Sequence, residues 1–286
     1  MPPPFLSALK FACAALACAA AVPLAAQTPP EPAARPPLAV MGTIPIFWGE
    51  ADGLADLLNG SGATHWARPV LERHWRLVPF DHLDAAALAG VDRLLLAQPR
   101  ALTAAENVAL DAWVRGGGHL LLFADPMLTG ESRFALGDRR RPQDVALLSP
   151  ILAHWGLRLE FPEDQPASAQ VREFAGMALS VRLAGRLVPN GAGADCRVMA
   201  AGVIAECTLG RGRVLLVADA AVLDLHSPVL CAEPALEALT ARSFAQMRES
   251  AGIQPPASAE MAENCGFAGS GEDAKPVMEV DPPPSK

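Results

Sequence analysis

The sequence lacks the short motifs that mark the common nucleophilic and nucleotide-dependent enzymes. It contains no G-x-S-x-G turn, no G-x-x-x-x-G-K-[ST] phosphate loop and no H-E-x-x-H helix. Basic residues are also too few for a general nucleic-acid role, because 23 Lys and Arg face 31 Asp and Glu and phosphate neutralisation needs a basic surplus. These absences favour a protein that is not an enzyme and does not bind nucleic acid.

Metal-ligand spacing is missing as well. The six histidines are scattered along the chain, and no C-x-x-C pair or nearby histidine supplies the ligands of a zinc site. Two G-x-G matches, at 60–62 and 191–193, are better interpreted as turns. The sequence therefore predicts neither a metal nor a cofactor.

The first 26 residues are typical of an export signal. Lys10 is their only charge, and it is followed by an apolar run from Phe11 to Ala21 and by small residues before Gln27. The run is short for a membrane span, so we predict cleavage and a periplasmic or secreted location. An uncleaved N-terminal anchor and lipidation at Cys18 are the alternatives, and membrane association is expected only through this end.

If the protein is exported, its cysteines are expected to form disulfides. Outside the signal there remain Cys196, Cys207, Cys231 and Cys265, and in an oxidising compartment four cysteines indicate two disulfides with three possible connectivities. Cys196 and Cys207 flank a predicted hairpin, which favours that pair. Free, buried thiols are the alternative.

The strongest fold signal lies in residues 92–126. Residues 94–97 and 119–124 are apolar runs typical of parallel strands that are buried on both faces. Between them, Thr103 and Glu106 fit a helix capping box, and a glycine triplet supplies the helix stop. This β-α-β unit predicts an α/β domain with an open, mostly parallel, flavodoxin-like sheet and flanking helices.

The remaining segments complete the predicted organisation. A proline-rich linker is expected at 27–37 and the α/β domain at 38–250. Turn signals such as Asn190-Gly191 predict a small antiparallel β insertion at about 171–212. Residues 251–286 are rich in Pro, Ser, Gly and acidic residues, which predicts a disordered tail.

Polar side chains follow several predicted strands, at the edge where an open α/β sheet places its ligands. A long polar loop at 127–146 could fold over them, since loops of this length are often functional. The candidate ligand-binding residues are Trp48, Glu50, Gln98, Asp125, Glu131, Arg133, Asp219, Asp224 and His226. Paired carboxylates beside a histidine could transfer protons. However, an Asp after a strand commonly accepts backbone N–H bonds from the next loop, so no catalytic residue is assigned.

The segment Leu94–Pro126 resembles the accessory component of gliding-motility-type ABC transporters and the broader ABC-type uncharacterized transport system domain. The shared pattern is a strand, Pro99, a capped helix with L-D-x-[WY]-V at 110–114, a Gly-Gly pair and an apolar strand ending in Asp125-Pro126. The resemblance implies a class I glutamine amidotransferase-like fold beside an ABC permease and ATPase pair. Asp125-Pro126-Met127 stands where those amidotransferases hold their catalytic Cys, so that chemistry is not expected.

Three functions follow as hypotheses. The first is an exported, non-enzymatic ligand-binding or interaction protein associated with an ABC-type transport system or the cell envelope. The second is an exported hydrolase that uses carboxylates at the carboxyl ends of the strands, on a glycan or a similar substrate. The third is a purely structural envelope scaffold.

Overall fold

The computed structural model describes residues 35–50, 64–191, 195–229 and 231–249. The expected signal, most of the expected linker, the expected tail and Cys265 lie outside these residues. Among the described residues, no helix has the length and apolar character needed to cross a bilayer.

Strands in the described residues are short and irregularly spaced along the chain. They are β1 (Pro37–Gly42), β2 (Arg76–Pro79), β3 (Arg93–Ala97), β4 (His119–Phe123), β5 (Leu157–Glu160), β6 (Gln170–Phe174), β7 (Met177–Val181), β8 (Arg186–Pro189), β9 (Asp195–Met199), β10 (Ile204–Leu209) and β11 (Gly212–Val217). Seven of them form one sheet in the order β2-β1-β3-β4-β11-β10-β9. The first five strands in that order are parallel, and β10 and β9 extend them antiparallel. The predicted mixed α/β class with a mostly parallel sheet is confirmed.

Helices cover both faces of this sheet. They are α1 (Ala67–Glu72), α2 (Ala85–Leu88), α3 (Ala104–Arg115), α4 (Ser149–His154) and α5 (Ala232–Glu249), with 3-10 turns at Ala200–Gly202 and Ala221–Leu223. Apolar side chains of α1 and α5 pack in one core cluster, and those of α2, α3 and α4 pack in another. Strands β3 and β4 are buried throughout, because alternate side chains enter the two cores.

The β-α-β unit forms as predicted around a complete capping box. Thr103 Oγ1 accepts a hydrogen bond from the Glu106 amide at 3.2 Å, and Glu106 Oε2 accepts one from the Thr103 amide at 2.9 Å. Arg100 binds the same carboxylate at 2.7 Å, and this hydrogen bond is the main cause that lowers the Glu106 pKa to about 2. The start of α3 is therefore fixed at neutral pH by an ionised side chain.

Gly42 marks the closest approach between β1 and the end of β3. A Cβ atom at this position would lie 1.9 Å from the carbonyl oxygen of Ala97. Only glycine fits there, because the contact is with backbone that cannot move aside without breaking the parallel ladder. The approach lets the Thr43 amide donate to the Gln98 carbonyl at 3.0 Å, which fixes the first loop of the carboxyl edge.

The expected β insertion differs from the structure in its connections. Strands β6 and β7 form a separate hairpin, and β5 pairs with β8. Strands β9 and β10, in contrast, belong to the main sheet through β11. The reason is burial, since β10 places Ile204, Ala205, Cys207 and Leu209 in the protein interior and needs a paired neighbour on each side.

The expected Cys196–Cys207 disulfide is confirmed. The two residues are directly opposite each other on β9 and β10, with Cα atoms 4.0 Å apart. Cys231, at the start of α5, is disulfide-bonded as well.

Candidate functional site at the carboxyl edge of the sheet

Gln98 and Asp125 follow the adjacent strands β3 and β4 and are tied to each other through the Asp125 backbone. Gln98 Oε1 accepts from the Asp125 amide at 2.8 Å, and Gln98 Nε2 donates to the Asp125 carbonyl at 2.9 Å. The same Nε2 donates to the Gln143 carbonyl at 2.9 Å. Gln98 is fully buried and has a positive φ of 49°, and the hydrogen bonds that its side chain makes to described residues are with backbone groups of the protein.

Both oxygens of the Asp125 carboxyl group accept backbone hydrogen bonds. Oδ1 accepts from the Met127 amide at 2.8 Å, which closes the turn after β4, and Oδ2 accepts from the Ala220 amide at 3.0 Å. The side chain is 0% exposed, and burial raises its pKa to about 6. Asp125 therefore links the loops that follow β4 and β11.

Asp219 repeats this arrangement at the end of β11. Its Oδ1 accepts from the Ala221 amide at 2.6 Å, and its Oδ2 accepts from the Arg182 amide at 2.8 Å. Asp219 is 1% exposed. Burial raises its pKa well above the usual range, and the charge of nearby Asp125 raises it further. Asp125 and Asp219 thus lie near each other, as expected from their positions after two predicted strands. Both carboxyl groups are buried from solvent.

The long loop is fastened to the carboxyl edge at two further points. Glu50 accepts hydrogen bonds from the Ser132 hydroxyl and from the Arg133 amide, and the Arg133 guanidinium donates to the Glu50 carbonyl at 2.6 Å. Thr43 Oγ1 accepts from the Gln143 amide at 2.9 Å. Glu50 and Arg133 are therefore brought together, as parts of a loop attachment.

Asp224 and His226 form a separate group around α1. Asp224 Oδ1 accepts from the His226 amide at 3.2 Å, and the Asp224 carbonyl accepts from Trp66 Nε1 at 2.8 Å. His65 lies beside them, and burial lowers its pKa to about 4, so its ring is neutral at neutral pH. Within the described part of the chain, no side-chain hydrogen bond joins Asp224 or His226 to the Asp125–Asp219 pair.

Trp48 and Glu131 are the remaining candidates. Trp48 is 60% exposed and lies at a small cleft of about 80 Å³ beside the ends of β1 and β2. Glu131 is exposed in the long loop. In the ranges that the structure describes, no three His, Cys, Asp or Glu side chains are grouped as metal ligands.

Sequence reasoning missed the residues that complete these networks. Thr43 follows the first strand and could have been considered, because a hydroxyl after a strand is a common loop anchor. Gln143 and Arg182 contribute backbone groups, for which the sequence carries no signal. His65 was overlooked because a single histidine has no recognisable spacing.

No protein-family model matches the chain, and no curated protein matches its sequence. Among solved structures, an exo-β-1,4-mannosidase from Opitutaceae bacterium strain TAV5 is 16% identical over 68% of this chain and 29% of its own, with a TM-score of 0.38. A β-galactosidase from Rahnella sp. R3 is 11% identical over 74% of this chain and 31% of its own, with a TM-score of 0.42. A ThuA-like protein from Bacteroides uniformis is 9% identical over 68% of this chain and 86% of its own, with a TM-score of 0.38.

These likenesses are weak. This chain spans less than a third of the length of the mannosidase and of the β-galactosidase. All three TM-scores are below 0.5. The three structures therefore assign neither a family nor an activity to the chain, and its function has to be inferred from the geometry of its own residues.

Proposed function

We propose that this chain is an exported, non-enzymatic ligand-binding or interaction protein of the cell envelope, associated with an ABC-type transport system. The observation that carries the non-enzymatic part is the burial of Asp125 and Asp219, which are 0% and 1% exposed. All four of their carboxyl oxygens accept backbone N–H bonds. A general acid or base must reach the proton that it transfers, and these groups reach only the protein.

Association with a transporter rests on the sequence resemblance of Leu94–Pro126 and on the export signal. Inside that segment, the motif residues have clear structural roles. Asp111 Oδ1 accepts from Trp155 Nε1 at 2.9 Å, and Trp113 Nε1 donates to the Val91 carbonyl at 2.9 Å. The motif thus specifies how α3 docks, and the proposed partners, a permease and an ATPase, require a test of their own.

Two experiments separate this proposal from the hydrolase alternative. The mature protein and its Asp125→Asn variant are assayed on a panel of chromogenic glycosides and esters, and neither is expected to turn over substrate above a heat-denatured control. A specific activity that Asp125→Asn abolishes would overturn the non-enzymatic assignment. Affinity purification from envelope extracts of the native host is expected to recover a permease and an ATPase, and recovery of neither would remove the transport association.

A further inference from the structure

A polar cleft of about 400 Å³ lies between α5 and strands β9–β11, at the amino edge of the parallel strands. We propose that it binds a small solute through a carboxylate or phosphate group. The candidate site above lies at the carboxyl ends of the parallel strands, so the cleft is at the opposite edge of the sheet. The inference does not depend on the proposed function, because an enzyme could carry such a cleft equally well.

The floor of the cleft is set by strand register. Asp195, Thr208 and Arg213 are cross-strand partners on β9, β10 and β11, and Arg197 and Glu206 are partners in a neighbouring row. Partners in register point to the same face of a sheet. These side chains therefore converge on one surface, and Arg242 of α5 forms the wall beside them.

Glu206 holds two of the guanidinium groups in place. It binds Arg197 at 2.8 Å and Arg242 at 2.5 Å. Each of these arginines keeps further N–H donors that the carboxylate does not use. The pair is thus oriented in advance, which reduces the entropy lost when a ligand binds.

Arg213 differs from the other two arginines of this cleft, because among the described residues none supplies it with a counter-charge. Its side chain is exposed and lines the cleft, and no described residue forms an ion pair or a side-chain hydrogen bond with it. A planar guanidinium group matches carboxylate and phosphate oxygens through two parallel hydrogen bonds. Arg213 is therefore the expected primary contact for the anionic group.

One buried cation behind the cleft, Arg93, adds to the positive potential, whereas burial lowers the pKa of the His119 imidazole beside it, which is therefore neutral at neutral pH. His119 and Arg93 are the register partners of Arg213 on β4 and β3. Arg93 is 6% exposed, and its Nε atom has no hydrogen-bond partner. Its guanidinium lies over the Trp75 ring, 5.3 Å from the centroid. Because a low-dielectric interior screens charge weakly, this row favours an anion at its open end.

The volume of the cleft limits the size of the ligand, and its acidic residues limit the ligand's charge. About 400 Å³ is at the lower end of the range for small-molecule sites. Asp195 and Glu206 disfavour a ligand with negative charge at every position, since like charges repel at short range. The favoured ligand therefore carries one anionic group toward Arg213 and neutral polar groups elsewhere.

Isothermal titration calorimetry of the full-length protein tests the site, with inorganic phosphate and lactate (one carboxylate and one hydroxyl group) as separate probes at low ionic strength. We expect saturable one-site binding of at least one probe, weakened about tenfold or more in Arg213→Gln, which corresponds to about 1.4 kcal/mol or more. Binding of phosphate alone or of lactate alone would identify the preferred anionic group. The matched control is Arg139→Gln, which removes the same charge from an exposed arginine of the long loop and should leave affinity unchanged.

Two results would overturn the inference. One is no saturable binding of either probe. The other is equal affinity in the wild type and in Arg213→Gln. If Arg213→Gln does not fold, Arg197→Gln decides instead, because Arg197 lines the same cleft and its loss should also weaken binding. Neither result bears on the hydrolase assays.

Discussion

The Gln98 side chain binds both backbone polar groups of Asp125, the amide at 2.8 Å and the carbonyl at 2.9 Å. The strands β3 and β4 end just before these two residues. The two side-chain bonds therefore take the place of the backbone bonds that would join β3 and β4 if the strands continued. This pairing holds the turn after β4 in place. It also determines where the Asp125 carboxyl group points, toward the amides of Met127 and Ala220.

Replacing Gln98 by Ala should therefore destabilise the fold. The buried Asp125 amide would lose its acceptor, and the Gln143 carbonyl would lose the Gln98 Nε2 donor. The Asp125 carbonyl would keep the Ala146 amide at 2.8 Å. An unsatisfied buried polar group costs about 1–3 kcal/mol, so we expect the free energy of unfolding to fall by about 2–4 kcal/mol in urea titrations. Gln170→Ala is the control, since the side-chain hydrogen bonds that Gln170 makes to described residues go to the nearby Ser168 and Ala169. Equal stability of the two variants would contradict this role.

Asp125 should make the stability depend on pH in the opposite direction to an ordinary ion-paired carboxylate. Burial raises the folded-state pKa to about 6, whereas an unfolded Asp titrates near 3.9. The folded state therefore holds the proton more tightly. This contribution to stability is fully present below about pH 4 and is lost as the pH rises through about 6.

The Asp125→Asn variant tests that effect, because it cannot titrate at this position. It also removes the Asp125 charge that raises the Asp219 pKa. It should be less stable than the wild type at pH 4.5, since the amide NH2 cannot accept the hydrogen bond that a carboxyl oxygen accepts. The difference in unfolding free energy should then shrink by about 2 kcal/mol toward pH 7, on the scale of 1.4 kcal/mol per pKa unit. Asp138→Asn is the control, because Arg140 lowers the Asp138 pKa to about 2. A gap that widens toward pH 7 would refute the assignment.

Gly42 should tolerate no side chain. Alanine at this position would place its Cβ atom 1.9 Å from the Ala97 carbonyl oxygen, so the β1–β3 pairing must separate. We expect a loss of about 2–4 kcal/mol in unfolding free energy, as for other severe steric changes in a core. Gly90→Ala is the matched control, since its nearest neighbour atom would be 4.0 Å away, and it should be nearly neutral. A stable Gly42→Ala protein would show that the two strands do not approach so closely.

Cys265 is expected to be the partner of Cys231. Cys231 is disulfide-bonded, Cys196 and Cys207 bind each other, and Cys13 and Cys18 lie in the expected signal. Non-reducing peptide mapping of the full-length protein, produced in an oxidising compartment, should recover a cross-linked peptide that contains Cys231 and Cys265. Recovery of Cys265 as a free thiol would contradict this pairing and indicate a different partner for Cys231.

The sequence predicted the parallel unit well because its signals are local. The apolar runs of β3 and β4, the Thr103–Glu106 cap and the glycine stop each act within a few residues, and each forms as expected. The Cys196–Cys207 pair was predictable for the same reason, since only 11 positions separate the two residues.

The carboxyl edge was less predictable because its interactions join distant residues through backbone atoms. Asp219 accepts from the Arg182 amide and Asp125 from the Ala220 amide, across 37 and 95 positions. The sequence shows which side chains are polar. It does not show whether backbone N–H groups will donate hydrogen bonds to their oxygens. The connection of β9 and β10 to the main sheet was missed for a similar reason, because strand pairing across the sheet is not encoded locally.

Amide hydrogen exchange, followed residue by residue by NMR, measures directly whether the two aspartates serve the fold or face a ligand. If they anchor loops, the amides of Met127, Ala220, Ala221 and Arg182 exchange slowly in the wild type. In Asp125→Asn, exchange accelerates at the one of Met127 and Ala220 that faces the new NH2 group, while Ala221 and Arg182 remain protected by Asp219. Unprotected exchange at all four amides in the wild type would contradict the structural role, because it would mean that both carboxyl groups are open to solvent.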